Sequence, residues 1–356
     1  MPLTTSDATA VEALEKAHWI AFAPFVFQAS VSLRKLGILD YIFDQRKTGG
    51  PTAIEIAEKL SLSRYGVEVL LEIAQTSGIV DQNPEHQFEL SKVGYFLNYS
   101  PTAGVNLNFA NDVCYKGLFH LEDSIKNGKP EGLKELGQWK TIYEGLSQLK
   151  PLEQKSWFDF DHHYSDHIFE EAMERIFLKK PRTIFDIGGN TGKFSIQCCS
   201  FDPEVHLKII DLPGQLAMAR VNAEKNGFQD RISTHPIDWL SKNPQIPTTV
   251  PDLIWMSQFL DCFSEEEILK ILKVCVGSMD EDTELAIVET FTDRQTFKAS
   301  QFILEATSLY FTVLANGNSK MYPSGVFKRL IEQAGLQVNE DIRLGEYHTM
   351  LVCKKK

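Results

Sequence analysis

Apolar residues follow two different rhythms along this chain. Over residues 18–45 they form a broad face at helical spacing, and Gly37 is expected to end a helix within it. After residue 183 the pattern changes to short β-branched runs that alternate with helical stretches: TIFDIG, VHLKIIDL, PDLIWMSQFL and ELAIVETF, with HTMLVCK as a last strand. Such alternation is typical of βαβ units around a buried parallel sheet, so this part of the chain predicts a doubly wound α/β domain.

Between these regions the pattern indicates a second kind of module. Residues 52–80 predict a short helix, a turn at residues 61–63 and a longer helix that ends at Gly78. Residues 87–97 predict a small β-wing that leads into a further helix. This order of elements indicates a winged helix-turn-helix.

A winged helix either reads DNA or packs against protein. The second helix of this one offers Arg64 as its only cation, against Glu68 and Glu72, so phosphate would repel it. The whole chain carries a net charge of −12, whereas nucleic-acid binding needs a basic footprint. We therefore expect a packing or dimerising module and no nucleic-acid partner.

Composition and length narrow the class further. A chain of 356 residues predicts two domains, and 43% hydrophobic with 24% charged residues is the balance of a soluble globular enzyme. No apolar run approaches the ~18 residues of a membrane span, and the N-terminus lacks the basic and apolar regions of an export signal. The six cysteines form no CxxC pair and no zinc pattern. We expect reduced thiols, a cytoplasmic location and no metal site.

The first candidate site follows the first strand of the α/β domain. In FDIGGNTGKFS, Gly188, Gly189 and Gly192 let the chain turn tightly and bring backbone N–H groups close to a ligand at a helix N-terminus. Asp211 ends the next strand, about 20 residues further on, where a carboxylate can accept hydrogen bonds from ribose hydroxyls. The spacing G-G-N-T-G differs from that of dinucleotide-binding proteins.

A third element of this site comes after the third strand, at Ile237-Asp238-Trp239. The Asp238 carboxylate can accept an adenine amino proton, and the Trp239 indole can cover the face of the ring. Each of these residues alone has an ordinary structural explanation, but all of them together at successive strand ends indicate a cofactor that contains a nucleoside.

With these motifs the chain resembles the S-adenosylmethionine-dependent O-methyltransferases of the caffeate and hydroxyindole type, which include bacterial enzymes that methylate polyketides and other aromatic metabolites. The resemblance also rests on IIDLP, on the strand ending in IVET, and on Phe169-x-x-Ala172-Met173, the F-x-x-A-M helix that faces substrate in this family. It implies a winged-helix dimerisation domain at residues 1–100, a helical linker contributing to the substrate pocket at residues 101–180, a Rossmann-like methyltransferase domain at residues 181–356, and a homodimer.

The resemblance implies S-adenosylmethionine as the cofactor. It places Gly188 beside the methionine part, Asp211 at the ribose, and Asp238 with Trp239 at the adenine. The complete set of expected cofactor contacts is Gly188, Gly189, Gly192, Asp211, Leu212, Asp238, Trp239 and Ser257.

At one place the chain departs from the family pattern. The family ends its fourth strand with L-H-D-W, whose histidine is the general base, whereas this chain has Leu260-Asp261-Cys262-Phe263. An unperturbed Asp pKa of about 3.9 is some six units below that of a phenol, a mismatch of roughly 8 kcal/mol. Ser264 and Glu267 form a capping box, which places Asp261 just ahead of a helix N-terminus. The positive end of that helix would lower the pKa of Asp261 further, unless burial raises it.

Several explanations of this departure remain open at the level of sequence. Asp261 is a base in a dry pocket or orients the hydroxyl; His162 or His163 substitutes for it; the substrate arrives ionised; or methyl transfer has been lost. Glu289, which ends IVET, matches the acidic position that steadies the catalytic histidine in relatives. The candidates for lining a flat pocket are Phe302, Tyr310, Phe311, Met321 and Tyr322.

The leading prediction is methyl transfer to a hydroxyl of a small aromatic or conjugated metabolite, such as a polyketide, quinone or phenol. A non-methylating relative of the hydroxylase or decarboxylase type, and a winged-helix regulator with a metabolite effector, are the alternatives. The pattern does not name the substrate, because the shape of the pocket depends on packing.

Overall fold

The computed structural model describes residues 8–356 and divides into two compact units, Met1–Asn111 and Asp112–Lys356. The expectation that the chain carries no export signal rests partly on residues 1–7, which lie outside the described residues. Among the residues described, no helix is long and apolar enough to cross a membrane.

The first unit consists of six helices and a two-stranded antiparallel hairpin within its described part. Its helices are α1 (Ala10–Lys35), α2 (Ile38–Asp44), α3 (Ala53–Leu60), α4 (Arg64–Thr76), α5 (Lys92–Tyr99) and α6 (Pro101–Asn108), and its strands are β1 (Val80–Gln82) and β2 (Phe88–Leu90).

The winged helix-turn-helix is confirmed. Ser61 adopts a left-handed conformation between α3 and α4, and Gly78 does so before the β1–β2 hairpin. The first helix also stops before Gly37 as predicted, but it starts earlier than the apolar pattern indicated. The side chains of Thr9 and Glu12 cap each other's backbone N–H groups there, and this capping box fixes the start of α1 at Ala10.

The second unit combines further helices with a seven-stranded sheet. Its helices are α7 (Leu121–Asn127), α8 (Ile142–Gly145), α9 (Pro151–Ser165), α10 (Phe169–Ile176), α11 (Lys193–Phe201), α12 (Pro213–Lys225), α13 (Glu265–Val276), α14 (Lys298–Tyr310) and α15 (Ser324–Gln333). Its strands are β3 (Thr183–Ile187), β4 (His206–Asp211), β5 (Ile232–Pro236), β6 (Leu253–Ser257), β7 (Glu284–Glu289), β8 (Leu336–Leu344) and β9 (His348–Lys355).

The strand order is β5-β4-β3-β6-β7-β9-β8, and the first five strands are parallel. This confirms the doubly wound α/β domain, with one correction. The prediction of a parallel sheet is wrong at one edge, because β9 runs antiparallel to β7 and β8 runs antiparallel to β9. The pattern also gave no sign of β8, whose edge position leaves alternate polar residues partly exposed.

Both faces of the sheet are covered, as the apolar runs require. In β6, Ile254 and Met256 belong to one buried cluster, whereas Leu253 and Trp255 belong to the cluster on the opposite face. Trp255 stacks on Phe194 of α11 with ring centroids 4.2 Å apart. Burial of one such side chain contributes about 1.5–3 kcal/mol, so the central strands and their ends are held firmly in place.

Candidate active site

The predicted site residues meet along one edge of the sheet, at the carboxyl ends of neighbouring parallel strands. Ile187 is in register with Ile210 of β4 and with Met256 of β6. The residue that follows in each strand or loop is Gly188, Asp211 or Ser257, so these three lie side by side. Open α/β sheets bind ligands at this edge, where the strand order reverses.

The glycine turn after β3 needs its glycines. Gly188 has a φ of +71°, and a Cβ added there would lie 2.3 Å from Cδ2 of Phe259. A Cβ at Gly189 would lie 2.7 Å from the Asp186 carboxyl group, and Gly192 has a φ of +81° where α11 begins. The turn therefore exposes backbone, and a larger residue would displace its neighbours.

Asp211 is held by the backbone of this turn. Its Oδ2 accepts a hydrogen bond from the Asn190 N–H at 2.8 Å, and its Oδ1 accepts one from the Leu212 N–H at 2.6 Å. Burial raises the pKa of Asp211 to about 6, although both backbone donors oppose the shift. A carboxylate fixed in this way, with further lone pairs free, is suited to accept hydrogen bonds from vicinal hydroxyls.

Several buried polar atoms around this edge have no hydrogen-bond partner among the described residues. They include Oδ1 of Asn190, Nε1 of Trp239, Oγ of Ser257 and Nε2 of Gln258. Each such atom costs about 1–3 kcal/mol unless a ligand satisfies it. Orphaned atoms beside a glycine cradle and a fixed carboxylate fit a polar nucleoside cofactor.

Asp238 and Trp239, the two residues predicted to hold adenine, differ in their exposure. Asp238 is exposed, and its Oδ1 accepts a hydrogen bond from the Leu240 N–H at 2.9 Å, which leaves its other oxygen available. The Trp239 ring is buried in the core and lies 6.0 Å from the Phe259 ring. The two residues thus form the end of the site beyond Asp211.

The segment between β6 and α13 carries the departure from the family pattern. Gln258 takes a positive φ of +48°, a short 3₁₀ turn spans Leu260–Cys262, and Ser264 caps α13 in a box with Glu267. Asp261 is only 5% exposed. Burial raises its pKa to about 7, so the effect of desolvation outweighs that of the helix N-terminus.

Glu289, at the end of β7, accepts hydrogen bonds from the backbone just ahead of Asp261. Its Oε1 accepts hydrogen bonds from the N–H groups of Phe259 at 3.2 Å and Leu260 at 2.9 Å. Its Oε2 has no partner within the described part of the chain. Burial, and then the charge of Asp261, raises the pKa of Glu289 well above its usual range. The partner that the sequence left undefined is therefore the backbone that carries Asp261.

The two histidines lie on α9. His162 places Nδ1 3.5 Å from an oxygen of Asp166, and its charge acts on Asp161. Burial lowers the pKa of His163. His162 therefore lies near Asp161 and Asp166. The Asp261 carboxylate has a different neighbour, the thiol of Cys262, which lies 3.5 Å from its Oδ1.

Sequence reasoning missed Asp161, two residues before the histidine His163 that it named. The Asp161 side chain is 31% exposed, and partial burial raises its pKa, while His162 opposes the shift. Its Oδ2 accepts a hydrogen bond from Nδ2 of Asn190 at 3.3 Å. No local pattern reveals this contact, because the two residues are 29 positions apart.

Aromatic side chains complete this region. Nε1 of Trp157 donates a hydrogen bond to the Tyr310 hydroxyl at 2.8 Å, and Tyr143 lies beside Cys262. Of the residues expected to line a flat pocket, Tyr310, Phe311 and Tyr322 are buried, whereas Phe302 is 65% exposed. Among the described residues, no group of three or more acidic, cysteine or histidine side chains could hold a metal ion.

Comparisons with known proteins match two parts of the chain to known domains. Residues 15–88 match a Dimerisation2-like domain, and residues 119–337 match the O-methyltransferase domain. The L-tyrosine C(3)-methyltransferase of Streptomyces lavendulae is 21% identical over 90% of this chain and 86% of its own. The 3-amino-4-hydroxybenzoate 4-O-methyltransferase of Streptomyces cremeus is 21% identical over 92% and 87%. The O-methyltransferase NcsB1, solved with S-adenosylmethionine and 2-hydroxy-5-methyl naphthoic acid, aligns at a TM-score of 0.68 with 17% identity over 93% of this chain and 96% of that one.

Proposed function

Because this chain belongs to the O-methyltransferase family, we propose that it transfers the methyl group of S-adenosylmethionine to a hydroxyl of a small aromatic or conjugated metabolite, with Asp261 as the general base. One observation carries the proposal: a buried carboxyl pair, Asp261 and Glu289, stands at the strand ends beside the cofactor cradle.

The cofactor would be held by the residues at the ends of β3, β4 and β6. Asp211 would accept from the ribose hydroxyls, Ser257 and the amide of Asn190 would satisfy their free atoms on the methionine side, and Asp238 with Trp239 would hold the adenine. When bound there, S-adenosylmethionine supplies an electrophilic methyl group on a sulfonium. The turn needs glycine at residue 188, because the Phe259 ring already lies where a Cβ would stand.

Asp261 removes the proton from the acceptor hydroxyl. Its pKa of about 7 reduces the mismatch with a phenol of pKa about 10 from about six units to about three, or roughly 4 kcal/mol. A base whose pKa lies near working pH is both ionised and strong enough to accept a proton. Burial therefore gives an aspartate the property for which the family uses histidine.

Glu289 acts through Asp261 and not on the substrate. Its hydrogen bonds to the N–H groups of Phe259 and Leu260 fix the turn, and its charge disfavours ionisation of both carboxyls at once. Two adjacent buried carboxyls therefore hold one shared proton more readily than none. Glu289 therefore positions the base by fixing the backbone of its turn, while burial and then the charge of Asp261 raise the pKa of Glu289 itself.

The assembly that we propose is a homodimer, formed through the first unit, which matches a Dimerisation2-like domain. Exposed apolar side chains on α1 support it, and a net charge of −12 supports the absence of a nucleic-acid partner. The six cysteines are all free thiols, which supports a cytoplasmic location.

The decisive experiment combines substrate screening with a base variant. Purified protein with S-adenosylmethionine and a panel of phenols, hydroxyquinones and hydroxylated polyenes should yield S-adenosylhomocysteine and a product heavier by one CH2. Asp261→Asn keeps the shape of the side chain but cannot accept the proton, so turnover should fall by roughly a hundredfold or more with unchanged cofactor affinity.

The matched controls are His162→Ala and His163→Ala, which should retain turnover. Full activity in Asp261→Asn together with an inactive His162→Ala would move the base to α9. A product heavier by one oxygen would identify a hydroxylase instead, and specific gel shifts with genomic fragments, without any transfer, would identify a regulator.

A further inference from the structure

Asn190, in the glycine turn, is hydrogen-bonded to two carboxylates on different elements. Its backbone N–H donates to Oδ2 of Asp211 at 2.8 Å, and its side-chain Nδ2 donates to Oδ2 of Asp161 on α9 at 3.3 Å. The charge of Asp161 also contributes to the raised pKa of Asp211. Asp211 has a proposed ligand, the ribose of the cofactor, whereas the role of Asp161 in the site is still undefined.

The amide of Asn190 offers a second hydrogen-bond acceptor next to Asp161. Its Oδ1 is buried and has no hydrogen-bond partner among residues 8–356. This oxygen belongs to the same amide group whose Nδ2 contacts Asp161, so it lies beside that carboxylate. Because a buried acceptor without a partner is destabilising, a ligand that donates hydrogen bonds is expected at this place.

Two basic side chains near Asp161 are engaged by another acid, Asp166. Nζ of Lys193 lies 2.6 Å from Oδ2 of Asp166. Nδ1 of His162 lies 3.5 Å from Oδ1 of Asp166 and 3.9 Å from Oδ2 of Asp161. Both basic side chains lower the pKa of Asp161, but burial has the larger effect, and the net shift is upward. The Asp161 carboxylate is therefore only partly compensated by these cations.

The chemistry of the cofactor indicates which of its groups suits this pair of acceptors. S-adenosylmethionine donates hydrogen bonds from its adenine amino group, its ribose hydroxyls and the α-ammonium group of its methionine part. Asp238 and Asp211 are the proposed acceptors for the first two. The ammonium group remains, and it brings both N–H donors and a positive charge. The α-carboxylate of the cofactor, by contrast, would be repelled by Asp161.

We propose that Asp161 and Asn190 bind the α-ammonium group of S-adenosylmethionine. The Asp161 carboxylate supplies the opposite charge, and Oδ1 of Asn190 supplies the second acceptor. The inference rests on the proposed function in one respect, since it takes the glycine turn and Asp211 to hold the cofactor. The ammonium group in turn favours the ionised form of Asp161, because a nearby opposite charge stabilises a carboxylate.

The test is a cycle of two ligands and two proteins, measured by calorimetry. The ligands are S-adenosylhomocysteine and its analogue without the α-amino group. In the wild-type protein the analogue should bind at least about tenfold more weakly, because a charge-assisted hydrogen bond is lost. Asp161→Asn removes the charge but keeps an oxygen that can accept from Asn190. It should weaken S-adenosylhomocysteine about tenfold or more without weakening the analogue, whose carboxylate no longer meets a negative charge.

The matched control is Asp159→Asn, which removes a carboxylate from the same helix. That carboxylate is 40% exposed and pairs with Lys155, so both ligands should bind this variant as they bind the wild type. Asp211→Ala is the contrasting variant. It should weaken both ligands by the same factor, because both contain the ribose.

Equal losses for the two ligands in Asp161→Asn would overturn the ammonium site, and so would equal binding of both ligands by the wild-type protein. If Asp161→Asn does not fold, the wild-type comparison alone decides. A protein that binds neither ligand would refute the ammonium site together with the cofactor cradle. The predicted cycle, without methyl transfer to any acceptor, would uphold the ammonium site while refuting the proposed methyl transfer.

Discussion

The carboxyl group of Asp261 owes its chemistry to the residues that surround it. Removal from water raises its pKa first, and Asp161 adds to the shift, whereas the Cys262 thiol opposes it by donating a hydrogen bond. Glu289 fixes the turn by accepting hydrogen bonds from its backbone. An aspartate in this place can therefore bind and release a proton near neutral pH.

The pH dependence of turnover follows directly from this. Asp261 must be ionised to act as base, and burial raises its pKa to about 7. We expect kcat to be constant above about pH 8 and to fall tenfold per unit below about pH 6, with an apparent pKa well above the 3.9 of free aspartate. The residual activity of Asp261→Asn should lack this dependence. A wild-type profile that stays flat down to pH 5 would contradict the role.

The ionisation of Asp261 that turnover requires also lowers the stability of the folded protein. The folded protein retains the Asp261 proton up to about pH 7, whereas the unfolded chain releases it near pH 3.9, so folding stability falls as pH rises through this window. Asp261→Asn should raise the free energy of unfolding by on the order of 2–4 kcal/mol at pH 8 and by almost nothing near pH 4.

Urea denaturation at pH 4 and pH 8 measures this difference. The control is Asp159→Asn on α9, whose carboxylate pairs with Lys155 and is 40% exposed, and no change is expected for it at either pH. An Asp261→Asn variant that is less stable than wild type at pH 8 would show that the buried charge is better compensated than its surroundings indicate.

The sequence revealed that Asp261 occupies the position of the family's base, but it did not reveal the pKa of that carboxyl group. The L-D-C-F segment stood where the family has its base, but whether burial or the helix N-terminus controls the pKa depends on packing. Asp161 was missed for the same reason, since its link to Asn190 joins residues on different elements. The place of Asp211 needed no such knowledge, because the end of the strand after the glycine turn brings its carboxyl group to that turn.

Among the elements, the turn between β3 and α11 has the least tolerance for change. Its backbone lies against Phe259, a residue of the turn that carries Asp261. The glycine turn and the turn that carries Asp261 are therefore in direct contact, and a change in one displaces the other.

Gly188→Ala tests this coupling. The new Cβ would fall 2.3 Å from Cδ2 of Phe259 at a φ of +71°, so both strain and collision are expected. Affinity for S-adenosylhomocysteine should fall at least about tenfold, and melting temperature should fall as well. Gly325→Ala is the control, because nothing lies within 4 Å of its Cβ, and it should keep wild-type binding. Equal affinity in the two variants would contradict the tight packing.

Elements with strong apolar periodicity were predictable, and those shaped by tertiary context were not. The runs that became β3, β4, β6 and β7 are buried on both faces, so composition alone identifies them. Strand β8 lies at the edge of the sheet and carries the charged residues Glu340, Asp341 and Arg343. Its sequence therefore lacks the apolar run by which the buried strands were identified. Whether β9 pairs parallel or antiparallel with β7 depends on the hairpin that joins it to β8, which local pattern does not specify.

In the whole molecule, the first unit carries apolar surface that residues 8–356 leave exposed. The exposed apolar side chains of α1 are Val11, Leu14, Trp19, Ile20, Phe22 and Phe25. Monomeric proteins seldom expose contiguous apolar patches of this kind. Because the same region matches a dimerisation domain, a second copy of the chain is the partner that we propose.

Light scattering should therefore give about twice the 40.3 kDa of one chain at micromolar concentration. Phe25→Glu places a charge where the side chain is 64% exposed, and should shift the mass toward that of one chain. Lys16→Glu changes charge on the same helix without removing apolar surface, and should stay dimeric. A wild-type mass of one chain would refute the dimer.

The short turn between β6 and α13 also has a genetic meaning. The sheet fixes one end of this turn, and the Ser264 cap fixes the other. Glu289 accepts hydrogen bonds from the backbone of the turn, not from the side chain of residue 261. Codons for histidine and aspartate differ at a single nucleotide. One mutation can thus exchange the proton acceptor and, with it, the charge that an acceptor molecule meets, while the scaffold stays unaltered. If residue 261 has the role that we propose, a lineage built on this turn can acquire a new base in one step.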